Sequence, residues 1–342
     1  MGIFLKGRCR QRGGAHDRLP PRHFTFLLIV VLSLASLSPP AAAQSDGDVL
    51  DLPHAWQVGD TQHLILTKSI KQYVNGDMLT SRGVRIPVTA EVIEKRADGY
   101  TLRWTFGKTE ALGANTKQNR ILNGIDKILD SHKLDLITDG YGRVTDLANA
   151  EEILEVVRQY IGEELNRDID ELTPSAEVAA KVRASLEPIT APLLSKDSLE
   201  AIVLNGPRFF YRLGGGSYRR GVTYPFEEPM HNSFGGAPVP SNITVVLTDV
   251  DPAGTRAELE WRQSIDTEVL LATVREALTA KAKKDGAPLP NFDDVPEPDI
   301  ESFGTYELDT DRGWPVAFDY ESRATFGRGS MIERLTIESV PD

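Results

Sequence analysis

The sequence predicts an α+β fold in which helices pack against antiparallel sheets. Every second residue from Val84 to Val92 is apolar, which is the pattern of a strand with one buried face. Asp98-Gly99 is typical of a tight hairpin turn, so the strands on either side of it run antiparallel. Between residues 153 and 161 the apolar residues are instead spaced as on one side of a helix.

The first half of the chain continues in the same style. Strands are predicted at 63–73, 83–94 and 100–106, and shorter strands around residues 134–137 and after Val144. Helical spacing predicts helices at 121–129, from Asn149, from Thr173-Pro174 and at 197–204. Asn149 and Glu152 have the spacing of an N-cap and its reciprocal partner.

The second half repeats this order of hairpin, helix and hairpin. We expect strands at 209–213 and 218–224 joined by Gly214-Gly215-Gly216, a hairpin around Asp251–Gly254, a helix from Asp266 to Gly286, and strands from Tyr306 onward. The chain is therefore divided into a leader at 1–43 and two related α+β halves at 44–205 and 206–342. The alternative to an internal repeat is the common use of Asp and Gly turns in any antiparallel sheet.

Two stretches contain several prolines each and are predicted to be loops. They are Pro225–Ser241, which also carries Phe226, Met230 and Phe234, and Asp285–Glu301.

Residues 1–43 have the organisation of a signal peptide. A basic segment precedes an apolar run of 14 residues, Phe24 to Leu37, and Ala41-Ala42-Ala43 supplies a cleavage site. The run is shorter than the about 20 residues that span a bilayer. We therefore expect cleavage after Ala43, a periplasmic or secreted protein, and no integral membrane span once the leader is removed. Retention of the leader as an anchor is the alternative.

The charge balance excludes several classes of function. The chain has 38 Lys and Arg against 50 Asp and Glu, a formal net charge of −12. Removal of the leader, which holds six basic residues and Asp17, leaves 32 basic and 49 acidic residues, a net charge of −17. This charge disfavours nucleic acid and anionic lipid surfaces as partners. The one cysteine, Cys9, lies in the leader, so the mature chain has no thiol chemistry and no disulfide.

Catalytic motifs are missing from the sequence. Ser217 follows three glycines but is followed by Tyr218-Arg219, which breaks the Gly-x-Ser-x-Gly pattern of serine hydrolases. Asp249–Gly254 has some of the spacing of a calcium loop, but a plain hairpin turn explains it better. Arg212, Arg219 and Arg220 around Gly214–Gly216 could hold an anion, although a turn needs these glycines equally. We expect no metal, no cofactor and no catalysis; a carboxylate-based hydrolase of the cell envelope is the alternative.

Five residues are the candidates for ligand binding. Trp104 and Trp261 lie on alternating strands, and aromatic side chains in such places line a ligand cavity or pack in the core. Apolar side chains on the predicted 225–241 loop would form a lid, a docking surface or a plug against the sheet: Phe226, Met230 and Phe234.

Four short segments give a resemblance to known proteins: Trp56–Asp60, Asp98-Gly99-Tyr100, Asp139–Val144 and Asp311–Pro315. With them, the chain resembles a loose group of uncharacterised bacterial exported proteins. Its order of curved strands and helices is similar to the half-barrels of periplasmic lipoprotein carriers, which implies an apolar groove. The expected function is the binding of a lipid or other hydrophobic small molecule, or of an envelope protein.

Overall fold

The computed structural model describes residues 49–52, 54–113, 132–173, 175–193, 195–230, 239–285 and 298–340. The predicted leader, the predicted helix at 121–129 and Phe234 lie outside these residues. Fourteen strands are found in the described residues: β1 (Val49–Asp51), β2 (Thr61–Val74), β3 (Asp77–Lys95), β4 (Tyr100–Phe106), β5 (Glu110–Leu112), β6 (Lys133–Thr138), β7 (Val144–Leu147), β8 (Ser217–Arg219), β9 (Thr223–Met230), β10 (Val239–Val250), β11 (Arg256–Ile265), β12 (Asp299–Asp309), β13 (Pro315–Phe326) and β14 (Gly329–Ser339).

Strands β1 and β8 form a separate two-stranded antiparallel sheet. The other twelve strands form one antiparallel sheet that runs through both halves of the chain. Its order is β7-β6-β4-β3-β2-β14-β13-β12-β11-β10-β9, and β5 pairs with β3 beside this path. The sheet is continuous because β2 pairs with β14, with Leu66 opposite Ile337. Over the described residues β7 and β9 are its two edges, so the sheet is open. The predicted α+β class with an antiparallel, half-barrel-like sheet is confirmed.

Five helices complete the described residues: α1 (Ala150–Leu172), α2 (Ala176–Leu193), α3 (Lys196–Val203), α4 (Asn205–Phe210) and α5 (Thr267–Asp285). Four of them were predicted from spacing and start signals. None of the described helices is both long and apolar enough to cross a membrane.

Asn149 stands before α1 as predicted, but its side chain does not cap the helix. Its Oδ1 accepts a hydrogen bond from the backbone N–H of Asp135 at 3.0 Å, and its Nδ2 donates to the carbonyl of Lys133 at 2.8 Å. The prediction of a reciprocal capping pair is therefore wrong, because the same amide group satisfies the backbone of β6 instead.

Two further predictions around residues 205–241 are wrong. The segment expected to be a strand at 209–213 begins in α4, where Pro207 stands near the start of the helix. Of the expected loop at 225–241, residues 225–230 belong to β9 and residues 239–241 to β10, with Pro225 opposite Thr244, whereas residues 231–238 lie outside the described residues. Prolines are tolerated here because β9 is an edge strand, where a missing backbone N–H breaks no second ladder.

The hydrophobic core lies on one side of the sheet, here called the inner face, which carries Trp104 and Trp261. The register aligns Leu259, Tyr306, Phe318, Ile337, Leu66 and Ile86 in one row across five strand pairs of this face. The end of α4 packs on it, since the Phe209 ring centre lies 5.5 Å from that of Trp261. The helical layer therefore closes over the central part of the inner face.

Candidate ligand site

The two tryptophans proposed as ligand-binding residues are both fully buried and are linked by the end of α4. Tyr211 contacts Trp104, with ring centres 6.0 Å apart, whereas Phe209 contacts Trp261. Since Phe209 and Tyr211 are two residues apart, one short segment packs against both tryptophans. The structure therefore brings Trp104 and Trp261 under the same segment but into different surroundings.

Trp104 is a satisfied core residue. Its Nε1 donates a hydrogen bond to the hydroxyl of Tyr211 at 3.3 Å, and neither side chain reaches solvent. Burial raises the pKa of the Tyr211 hydroxyl, so this group stays neutral and available as an acceptor. The Trp104 side chain therefore packs in the core with its only polar atom hydrogen-bonded.

Trp261 is different because the indole N–H of its side chain is an unsatisfied hydrogen-bond donor. Its Nε1 is buried and has no hydrogen-bond partner within the described residues. Burying an N–H without an acceptor costs about 1–3 kcal/mol, so folded proteins rarely leave one. This donor marks a place where an acceptor from outside the chain would be favourable.

The guanidinium of Arg212 lies over this tryptophan. Its Cζ is 5.4 Å from the ring centre of Trp261 and 4.7 Å from that of Phe209, the geometry of a cation–π contact. The Nη2 of Arg212 pairs with Glu228 at 3.0 Å, while its Nη1 is buried and has no partner among the described residues. Two buried donors, one on Arg212 and one on Trp261, are therefore unsatisfied in one place. We call Phe209, Arg212, Glu228 and Trp261 the Arg212 site.

The ion pair in the Arg212 site is unequal. The Arg212 side chain is 15% exposed, whereas that of Glu228 is 48% exposed. Rotation of the Glu228 side chain into solvent costs little free energy, because half of its surface is already solvated. The Arg212 guanidinium, in contrast, needs a nearby anion to compensate for its burial. Glu228 is thus a counter-ion that an incoming anion can replace.

Next to Trp261, the inner face of the sheet carries buried hydroxyl and amide groups. The Nε2 of Gln263 donates to the Ser241 hydroxyl at 2.7 Å, and that hydroxyl donates to the carbonyl of Glu228 at 2.5 Å. On the next strands the hydroxyl of Ser302 donates to that of Ser322 at 3.0 Å. These groups are paired with one another, so the Arg212 site lies between an aromatic core and a polar row.

The three other predicted binding residues, Phe226, Met230 and Phe234, do not lie together in one described loop. The register of β9 places Phe226 on the inner face, opposite Ile243, with 47% of the residue exposed. Met230 ends the same strand, opposite Val239, and Phe234 lies outside the described residues. The prediction that Phe226 and Met230 belong to an irregular loop is wrong, but Phe226 does lie at the open edge of the inner face, two residues from Glu228.

A groove of about 370 Å³ lies on the opposite side of strands β10 to β14. Half of its twelve lining residues are acidic: Asp249, Asp251, Glu258, Glu307, Asp319 and Glu338. Several of these acids have partners, since Asp249 pairs with Arg220, Glu307 with Arg256 and Asp319 with Arg334. The groove is therefore a surface of paired charges.

Asp251, which lines this groove, stabilises a hairpin turn. Its Oδ1 accepts hydrogen bonds from the backbone N–H groups of Thr255 at 2.6 Å and Arg256 at 2.9 Å. These hydrogen bonds lower the pKa of Asp251 and so keep its carboxylate ionised. The predicted hairpin turn at 251–254 is confirmed, with Gly254 at a positive φ of 72°.

Gly214–Gly216 also form a turn, but one that follows α4 and leads into β8 rather than joining two strands. The sequence indicates Arg212 only as part of an anion cradle at these glycines. The contact that defines the Arg212 site is instead with Phe209, three residues earlier, and with Trp261 on β11. In the described part of the chain, no three His, Cys, Asp or Glu side chains are grouped as a metal ion would require.

A second set of unsatisfied atoms surrounds His54. Its ring centre lies 4.0 Å from that of Trp56 and 5.0 Å from that of Tyr100, and neither ring nitrogen has a partner within the described residues. Burial lowers the pKa of His54 to about 4, against a smaller opposing effect of Asp139. His54 is therefore neutral at pH 7 and packs as an aromatic ring.

Comparison with protein-family models gave no match, and comparison with curated protein sequences gave none. Among solved structures, the chain is similar to a structure titled "lipid-protein interactions in lipovitellin", with 7% sequence identity and a TM-score of 0.43. The match covers 83% of this chain and 25% of the other, so the chain spans about a quarter of that structure. A likeness of this size carries no conclusion about function.

Proposed function

We propose that the protein is an exported, non-catalytic binding protein for an amphipathic molecule with an apolar chain and an anionic head group. The observation that carries the proposal is the partly buried Arg212 guanidinium, which lies over Trp261 and Phe209 with its buried Nη1 unpartnered in the described residues. The head group would bind there, and the apolar chain would lie along the exposed edge of the inner face at Phe226.

The anionic head group follows from the donors. A guanidinium binds carboxylate or phosphate through two parallel hydrogen bonds, and these charge-assisted bonds are the stronger kind. Arg212 uses Nη2 for Glu228, so Nη1 is the donor that remains for a ligand. The buried indole N–H of Trp261 would supply a further donor nearby.

The apolar chain follows from the position of β9. Phe226 and Glu228 lie on the inner face of this edge strand, and both are about half exposed. A ligand entering over this edge would meet both an exposed aromatic ring and the charged pair. Polar specificity from a few groups on a mainly apolar surface is the usual composition of a small-molecule site.

The other classes of function remain as rivals. A carboxylate-based hydrolase would use the acidic groove on the outer side of the sheet, where arginine pairing and turn formation already occupy Asp249, Asp251, Glu307 and Asp319. An envelope partner protein would bind without any co-purifying small molecule.

Organic extraction of the exported protein followed by mass spectrometry tests the proposal. We expect an acidic amphiphile in extracts of the native protein, and its depletion from the Arg212→Gln variant. Arg334→Gln is the matched control, because Arg334 also pairs with a carboxylate but does so with Asp319 on the outer face. An extract of the native protein without any amphiphile, or equal amounts in both variants, would contradict the proposal. If the leader is cleaved after Ala43, N-terminal sequencing of the same purified protein should give Gln44 as its first residue.

A further inference from the structure

Two hairpin turns lie side by side at one end of the sheet. The turn between β2 and β3 is formed by Asn75-Gly76, and the turn between β13 and β14 by Gly327-Arg328. They are joined because the backbone N–H of Asn75 donates to the carbonyl of Arg328 at 2.8 Å, and because Val74 lies opposite Gly329. We call residues 70–82 and 324–332 the paired hairpin tips.

Most of the paired tips extends beyond the neighbouring strands of the described residues. Pairing of β3 begins at Gly83 with β5 and at Val88 with β4, and β12 reaches β13 no further than Asp299 opposite Thr325, so Phe326 lies beyond it. Over the described residues, 77–82 of β3 therefore pair with β2 alone. The tips are an end of the sheet and not part of a flat face.

Large apolar side chains are concentrated on these tips. Leu79 is 65% exposed, Met78 is 60% exposed and Phe326 is 50% exposed, and Val74 and Met331 are also exposed. Val74 and Phe326 flank Gly329 in the register, and a glycine there leaves the two side chains without a neighbour between them. Exposed apolar patches of this kind mark a surface that is covered when the protein works.

The charge of the paired tips is opposite to that of the chain. Residues 70–82 and 324–332 contain Lys71, Arg82 and Arg328 against Asp77, a net charge of +2 in a chain of −12. None of these three cations has an ion-pair partner within the described residues. A short segment with free cations and exposed apolar side chains matches an anionic bilayer, whose head groups attract Lys and Arg while its interface accepts apolar side chains.

We propose that the paired hairpin tips dock the protein on anionic lipid bilayers. The net negative charge of the rest of the chain opposes any other orientation, because acidic surfaces are repelled by the same bilayer. Charges further than about 10 Å from the bilayer are screened at 0.1 M salt, so the tips determine the contact. The expectation that this acidic protein avoids anionic membranes thus applies to its other surfaces. The proposal does not depend on the Arg212 site.

A fluorescent label on the tip tests the docking directly. In a Cys9→Ser background, Met78→Cys carries an environment-sensitive nitrobenzoxadiazole dye, and Val58→Cys is the matched control, since Met78 and Val58 are each 60% exposed. We expect a blue shift of the dye at residue 78 with phosphatidylglycerol-containing vesicles. We expect none at residue 58, and none with vesicles of phosphatidylcholine alone.

Vesicle co-sedimentation separates the charge from the apolar contribution. Lys71→Gln and Arg328→Gln should each weaken binding to the phosphatidylglycerol vesicles by roughly fivefold, and Leu79→Ser should weaken it further. Lys181→Gln is the control, because Lys181 is an exposed cation far from the tips in sequence, on α2, where it pairs with Glu177. An unshifted dye at residue 78 would refute the proposal and leave a protein partner as the occupant of the tips. Equal shifts at residues 58 and 78, or equal binding by Lys71→Gln and Lys181→Gln, would also refute it.

Discussion

The hydrogen bond between Trp104 and Tyr211 gives a quantitative prediction about the core. Tyr211→Phe removes the hydroxyl that accepts from Trp104 Nε1 at 3.3 Å and leaves the buried indole N–H unsatisfied. Such a loss costs about 1–3 kcal/mol, and the long donor–acceptor distance places this one near 1 kcal/mol. Once Trp104→Phe has removed the donor, the same change at Tyr211 should cost almost nothing. The two substitutions should therefore be non-additive by about 1 kcal/mol.

Urea unfolding of the four proteins of this double-mutant cycle measures the coupling, provided that the m-value stays constant. The control cycle combines Trp261→Phe with Tyr320→Phe. These rings also contact one another, at 5.8 Å, but the Tyr320 hydroxyl lies 3.5 Å from Ser302 and is not bonded to the indole. We expect a coupling near zero there. Equal coupling in the two cycles would refute the distinction between a satisfied Trp104 and an unsatisfied Trp261.

Two further predictions concern charge. Glu228→Gln removes the carboxylate that competes with a ligand for Arg212. In a calorimetric titration, dodecanoate should therefore bind about fivefold more tightly to this variant than to the native protein. Weaker binding to the variant would show that Glu228 supports the ligand. His54 has a folded-state pKa of about 4 against 6.5 in the unfolded chain, so the native state binds fewer protons. Its stabilisation is complete above pH 6.5 and is lost as the pH falls toward 4. The native protein should lose more stability over that interval than His54→Gln does, as urea midpoints measured at each pH would show; parallel curves would contradict this.

Much of the sheet could be predicted because its signals are local. Alternation from Val84 to Val92 and the turn at Asp98-Gly99 each involve residues close in sequence, and β3 and β4 follow from them. The pairing of β2 with β14 joins residues more than 250 positions apart, and no local pattern indicates it. This pairing turns two expected halves into one continuous sheet. The leader, its cleavage and the internal repeat stay predictions.

Edge position explains the error at β9. Pro225 and Pro229 indicate a loop when every strand is assumed to have two neighbours, but among the described residues β9 pairs only with β10 in the main sheet. The sequence does not say which strand is at an edge.

The candidate site could be predicted only in part. Trp104 and Trp261 have the same local pattern, and tertiary contacts separate them: one finds an acceptor on Tyr211 and the other has Arg212 over its ring. Arg212 and Glu228 lie 16 positions apart on a helix end and an edge strand, so their ion pair has no spacing signature. A Phe and an Arg three residues apart, Phe209 and Arg212, are the nearest local signal, and such pairs are common in cores.

The central claim is that Arg212 recognises the anionic head group of an amphipathic ligand. Calorimetric titration with dodecanoate and with dodecanol, which differ in the carboxylate, tests it most directly. We expect the native protein to prefer dodecanoate, and Arg212→Gln to weaken dodecanoate at least tenfold while leaving dodecanol unchanged, because the lost contact is a hydrogen bond to a charge. Equal affinity of the native protein for the two ligands, or an equal loss of both in Arg212→Gln, would contradict the claim.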